Sequence, residues 1–367
     1  MHVLVTKIVW RGAIPPSVAT SPPVFFKRLY LSRHINDWSS MPQHSLGHTL
    51  IIANPASHSG KGALAAERVQ RFFELYSNAT ESFEIQMTQA PLDAVEIAAN
   101  AGEKDTVIAL GGDGVIHEVV NGLMAIDRTK RPRLGIIPMG SGNDFARTLN
   151  STFNNPDAAL SEILHGGTRV IDLGLVTSDA RPTGLTPGSP GTYFMETLSF
   201  GLDAAIAIDT TDRRAEGTST EGSALFLTSS VKIVMAGSSG WSCRATIDGE
   251  EPIELTTLMF AIQNGPTYGG GFRICPDSVP SDGLLNLCFN VKKPSILRLL
   301  LLLALARFGK HTHSKAVRLR TARSVILDFP EKAAPAQVDG EKLEGSHFEI
   351  SAVPQALEVI VPPVCPW

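Results

Sequence analysis

Apolar and polar positions fall into short regular blocks from residue 48 onward. Residues 48–53 (HTLIIA), 105–110 (DTVIAL) and 134–138 (LGIIP) are apolar runs of strand length, each stopping at Asn-Pro or at glycines. Residues 83–87 (FEIQM) alternate like a strand. Between these runs, 62–76 places Leu64, Val69, Phe72, Phe73 and Tyr76 near helical spacing, and 90–101, 115–124 and 157–164 read as helices. Strands alternating with helices predict parallel βαβ units. Beyond about residue 170 the style changes. IDLGLVT, TYFMETLSF, SCRATIDG, LTTLMFAIQN, LLNLCFNV, AVRLRTA, SVILDF, AQVDGE and ALEVIVP read as strands, with helical patterns only near 223–236 and 295–308. The expected fold is α/β: an N-terminal parallel-sheet domain over 47–170 and a mainly antiparallel β-sandwich over 171–367. The Gly- and Pro-dense stretch 178–191 (SDARPTGLTPGSPG) should be a surface loop.

Residues 1–46 stand apart. They carry Lys7, Arg11, Lys27, Arg28 and Arg33 against Asp37 alone, cluster their prolines, and sustain no period. They read as a disordered or dispensable leader, with Met41 as a second candidate start. An organelle-targeting segment is the other reading, but no amphipathic helix can be drawn there. Composition narrows the rest. The chain has 367 residues, 43% hydrophobic and 19% charged, which predicts a buried core rather than disorder. A net charge of −4 argues against a nucleic-acid-binding protein. Cys243, Cys275, Cys288 and Cys365 show no C-x-x-C spacing, fit neither a zinc site nor a disulfide framework, and suit a reducing, cytoplasmic setting. The longest apolar run, 299–306, is too short to cross a bilayer.

The chemistry gathers at glycine-rich turns that end strands. Gly111-Gly112-Asp113-Gly114 leads into a helix. Glycines let a backbone approach a phosphate closely, and a helix start offers N–H donors and the positive end of its dipole. An acid at that point needs a role, as a magnesium partner or as an acceptor for a hydroxyl proton; a tight turn with Asp113 as a simple cap is the plainer alternative. The stretches 54–62 (NPASHSGKG) and 138–145 (PMGSGNDF) close two other strands, and in a parallel sheet all three turns would meet at one edge. Walker A, G-x-G-x-x-G, zincin, protein-kinase and G-x-S-x-G patterns are absent. In the second half, Asp282 precedes a glycine and 338–342 (VDGEK) holds Asp339 and Glu341. Asp-Gly there also fits a plain hairpin turn. The stretch 295–313 (SILRLLLLLALARFGKHTH) is a leucine-rich helix with basic ends, either a core helix or one that touches an anionic membrane surface.

Taken together, GGDGVIHEVVNGL (111–123), GIIPMGSGNDFA (135–146), NGPTYGGGFRICP (264–276), SDGLLNL (281–287), VDGEK (338–342) and the closing HFEI…VP…PPVCP resemble the diacylglycerol kinase catalytic-domain family of soluble bacterial lipid kinases, related to the sphingosine kinases. The resemblance implies ATP-dependent phosphorylation of a lipid hydroxyl, with diacylglycerol as the leading acceptor and a sphingoid base or another glycerolipid as the alternative. A non-catalytic nucleotide or lipid sensor is the alternative of another class. It places Gly111, Gly112, Asp113, Gly114, Val115, Ile116 and His117 at the phosphates, with Asn54, Ser57, Thr88 and Ser141 as further nucleotide contacts. It places a structural Mg2+ on Asp282 with the carbonyls of Val279 and Leu284. The proton acceptor falls on Glu341, with Asp113 as the alternative. The implied partner is a lipid at a membrane surface, and the implied location is the cytoplasm or the membrane periphery. Three departures stand out: Val115 follows GGDG where threonine is common in bacterial members, the first loop is differently spaced, and His117-Glu118-Val119-Val120 looks more like the sphingosine kinases.

Overall fold

The computed structural model describes residues 45–367 apart from 77, 181–184, 190, 216–221, 238, 292 and 293. The leader expected over 1–46 lies, but for its last two residues, outside the described residues, as does part of the 178–191 stretch.

The first half runs β1 (His48–Ala53), α1 (Ser57–Leu75), β2 (Ser82–Met87), α2 (Asp93–Ala99), β3 (Thr106–Gly111), α3 (Asp113–Met124), β4 (Arg133–Pro138), α4 (Asp144–Leu149) and α5 (Pro156–His165). Its four strands pair in parallel in the order β2-β1-β3-β4. Helices cover both faces, so every residue of β3 is buried and the strand reads as an unbroken apolar run. Leu50, Ile52, Val107 and Ala109 face α2 and α3, while Ile51, Ala53, Ile108 and Leu110 face α1 and α5.

The second half contains β5 (Gly167–Ser178), β6 (Thr192–Phe194), β7 (Thr197–Gly201), α6 (Leu202–Ala215), α7 (Gly222–Ala236), β8 (Trp241–Ile247), β9 (Ile253–Thr257), β10 (Met259–Gln263), β11 (Leu285–Asn290), α8 (Ile296–Ala306), β12 (Val317–Ala322), β13 (Ser324–Asp328), β14 (Ala336–Val338), β15 (Glu341–Leu343) and β16 (His347–Val361). One antiparallel sheet has the order β12-β11-β10-β7-β14-β15. It packs against β8, β13 and β16 through a core that includes Phe200, Phe260, Phe289 and Phe348. The α/β-plus-sandwich architecture expected from the pattern is thus the one observed.

The halves share a sheet. β16 pairs along β5, pairs with β13 through its first residues, and joins β4 in parallel at Val359. Its register shifts between Val353 and Leu357, where the buried Asp172 accepts the Gln355 N–H at 2.7 Å.

Two local expectations change. TYFMETLSF is two strands: β6 pairs with β5 in one sheet and β7 with β10 and β14 in the other. The break comes where Met195, Glu196 and Thr197 all donate their N–H groups to the Asp339 carboxylate. The half also holds a helix the pattern did not announce, α6, whose buried positions include Ala204, Ala207 and Thr210. Small and hydroxylated residues leave only a faint apolar stripe.

Candidate active site

The C-terminal ends of β1, β3 and β4 lie side by side, and their three loops interlock. Gly112 N–H donates to Ser57 Oγ at 3.3 Å, and Met139 N–H to the Gly111 carbonyl at 2.7 Å. The glycines are what permit this. A Cβ on Gly140 would stand 2.8 Å from the Gly112 Cα, and one on Gly111 would stand 2.2 Å from Val115 Cγ1. In the first loop, His58, Ser59 and Gly60 turn left-handed before α1 proper begins, while Asn54 Oδ1 accepts the Ala56 N–H at 2.9 Å.

Asp113 fixes the second loop to the third. Its Oδ2 accepts the Asn143 N–H at 2.8 Å, and its Oδ1 accepts the Asp144 N–H at 3.0 Å. A Cβ on Gly142 would come within 2.7 Å of that Oδ2, so the GSG sequence leaves room for the carboxylate. Asp144 reaches on to the other half, where its two oxygens accept the N–H groups of Gly270 and Gly271, both at 2.9 Å. Burial, and then the neighbouring Asp113 charge, push the Asp144 carboxyl up to about 6.

The second half answers with a hairpin. β14 and β15 pair Val338 with Glu341 across the turn Asp339-Gly340, where both turn residues have positive φ (46° and 96°). The plain hairpin reading of this Asp-Gly and the functional one therefore hold together. Asp339 points back: besides the three N–H groups at the β6–β7 break, its Oδ2 accepts Nδ1–H of the fully buried His117 at 3.0 Å. Glu341 points outward, and among the described residues it makes no hydrogen bond or ion pair. Its Oε1 would lie 3.6 Å from a Cβ on Gly114.

Two adjoining cavities result, both lined by Gly114 and Glu341. The larger, of about 680 Å3, takes in Asn54, Thr88, Val115, His117, Glu118 and Lys342. The smaller, of about 260 Å3, takes in Ser57, Asp113, Ser141, Asp144, Glu196 and Phe226. Asp113 and Glu341 thus open onto the same crevice.

The chain is similar to known proteins over most of its length. Residues 48–176 match the diacylglycerol kinase catalytic domain, and 196–361 match the YegS C-terminal NAD kinase beta sandwich-like domain. A diacylglycerol kinase of Mycobacterium tuberculosis (strain ATCC 25618 / H37Rv) is 30% identical over 322 residues, 87% of this chain and 97% of that protein. The chain belongs to the diacylglycerol kinase catalytic-domain family. It is accordingly an enzyme of the lipid-kinase type. A Yersinia pestis (strain Pestoides F) protein named "Probable lipid kinase YegS-like" is 31% identical over 262 residues, covering 71% of this chain and 80% of its own. The fold is also that of a diacylglycerol kinase crystal structure from Bacillus anthracis (strain Sterne), with a TM-score of 0.63 at 20% identity over 87% of this chain and 98% of that one.

Within this family member, the residues expected at the nucleotide do not all stand in one place. Asn54, Thr88, Gly114, Val115 and His117 line the larger cavity, whereas Ser57, Gly112, Asp113 and Ser141 line the smaller. Gly111 lies beneath the loop against Val115, and Ile116 is a core residue whose N–H donates to the Gly112 carbonyl. The His117 ring is held by Asp339, with Nε2 3.5 Å from Asn121 Nδ2. Asp282 sits apart, near β16. Its Oδ1 accepts the Leu284 N–H at 2.9 Å, and the Val279 carbonyl accepts the Ser281 and Asp282 N–H groups.

Three further acids took no role in the sequence reading: Asp144, Asp339, which it named only as part of VDGEK, and Glu196. Each of the first two lies inside a motif already singled out, but the partners that define their roles come from the other half of the chain. Glu196 is buried, and burial raises its carboxyl well above the usual range. The lack of a side chain at Gly265 makes room for it, since a Cβ there would stand 2.0 Å from Oε2.

Proposed function

We propose that this enzyme transfers the γ-phosphoryl group of ATP to the hydroxyl of diacylglycerol, giving phosphatidic acid and ADP. Residues 47–170 serve as the nucleotide-binding domain and 171–367 as the lipid-substrate domain. The observation that carries the reading is the shared crevice: one carboxylate without a partner among the described residues, Glu341, faces the start of α3 across a gap edged by Gly114. The larger cavity suits the nucleotide, because the first turn of α3 presents N–H donors and a positive dipole end to phosphate. The smaller one suits the acceptor, because it pairs polar groups with Phe226.

Phosphoryl transfer needs alignment and charge neutralisation more than covalent help. The three interlocked loops supply alignment. Glu341 accepts the proton of the lipid hydroxyl as its oxygen bonds to the γ-phosphorus and the bond to the bridging β–γ oxygen breaks. Asp113 organises the loops, since both its oxygens already accept backbone N–H groups. A magnesium ion fits the Asp282 loop chemically. The donors are oxygens of Asp282 and backbone carbonyls, and burial, with a smaller push from the Asp172 charge, raises the Asp282 carboxyl, a cost that a divalent cation would relieve. When bound there it would stiffen the loop against β16.

The test is transfer of radiolabelled phosphate from ATP to lipids in mixed micelles. Label in diacylglycerol is the expected result. Label in sphingosine alone would replace the acceptor, and ATP binding with label in no lipid would leave a sensor.

A further inference from the structure

α8 is an anomaly of burial. Its sequence is ILRLLLLLALA, yet Ala306 is its one buried residue among those described. A helix apolar apart from one arginine, Arg298, belongs in a core or against something apolar. Leu297 is 81% exposed and Leu301 58%, and Phe308, just past the helix, is 71% exposed. The neighbouring helix α7 extends the patch with Leu227, Val231 and Met235, spaced four apart on one stripe and all exposed. Patches of this extent mark interaction surfaces.

The rim identifies the partner. Residues 294–323 contain seven Arg and Lys and no Asp or Glu, in a chain whose net charge is −4. Arg298, Arg307, Lys310 and Lys315 are exposed around the leucines. A second copy would bring the same cations face to face, whereas an anionic lipid headgroup layer neutralises them while its acyl region receives the leucines. The patch also adjoins the crevice. Phe226, one residue before Leu227 on α7, lines the smaller cavity and packs on Tyr268 and Phe272 at 5.3 and 5.0 Å.

We infer that the α7–α8 face docks on an anionic lipid bilayer and sets the smaller cavity beside the membrane from which the acceptor is drawn. This rests on the lipid-kinase reading for its purpose, though not for its evidence. The full chain is sedimented with vesicles of phosphatidylcholine alone and with about 30% phosphatidylglycerol. Wild type should bind the anionic vesicles at least about tenfold more tightly, less so as salt rises. The Leu297→Ser/Leu301→Ser/Phe308→Ser variant should lose at least about tenfold, and Arg298→Glu/Lys310→Glu should lose the preference for phosphatidylglycerol. Wild type that ignores both vesicles, or a serine variant that binds like wild type, overturns the assignment. So does a wild-type dimer that the serine variant splits, which would give the face to a second copy. Turnover of a short-chain, water-soluble diacylglycerol separates this from the reading above. Vesicle binding without any such turnover supports the docking face and removes the acceptor; turnover without vesicle binding does the reverse.

Discussion

Asp113, on the loops of the parallel sheet, and Glu341, on the hairpin of the antiparallel half, face the same crevice with opposite commitments. Asp113 accepts two backbone N–H groups and cannot leave them without unlocking two loops. Glu341 stands exposed at the start of a three-residue strand. The same contrast recurs two residues before Glu341, where Asp339 is saturated by His117 and three N–H groups. A carboxylate saturated by backbone donors builds a site; one left open is available to take a proton. The sequence motifs contain both kinds, and only their partners tell them apart.

The comparison breaks first at Glu341. Glu341→Gln should lower turnover by about 10²–10⁴-fold, with nucleotide affinity held within about threefold, as measured by steady-state kinetics beside calorimetric ATP titration. Equal losses in both would make Glu341 a binding residue. Asp113→Asn keeps one acceptor oxygen and turns an amide toward an N–H group. It should cost about 10–100-fold in turnover together with a similar loss of ATP affinity, because it disturbs the cradle rather than the proton transfer. A clean loss of turnover alone would reverse the two roles. Asp339→Asn should act on the fold, lowering stability by about 2–3 kcal/mol and Tm by about 6–10 °C in scanning calorimetry, since it leaves buried donors unpaired.

The smallest effect concerns pH. Asp203 is buried in α6, and burial pushes its carboxyl up to about 7. In the unfolded chain it ionises near 3.8. Between those values the native state holds a proton that the unfolded state has lost, so this group's contribution is full below 3.8 and is lost as pH rises through 7. Asp203→Asn should flatten Tm between about pH 5 and 8 and raise it at pH 8 by about 2–4 °C. An unaltered slope would show that the group does not carry a shifted proton.

The loops and their order were legible because local rules write them: a strand of apolar residues, then glycines, then a helix start. The parallel edge followed from that alternation alone. What stayed hidden depends on contacts far apart in sequence. His117 reads like part of a phosphate loop until Asp339, 222 positions later, takes its ring. TYFMETLSF reads as one strand until the same carboxylate captures its middle. α6 was faint because Ala204, Ala207 and Thr210 bury well without looking apolar enough.

β16 carries one more consequence. It follows every other strand in the chain, yet it closes the open side of β4 and lies along β5, so the first half cannot finish its sheet until those residues have left the ribosome. Until then β4 offers unpaired backbone groups to any passing strand. A message cut short before codon 347 would therefore yield a protein prone to clump, with both sides of the crevice encoded but never brought together.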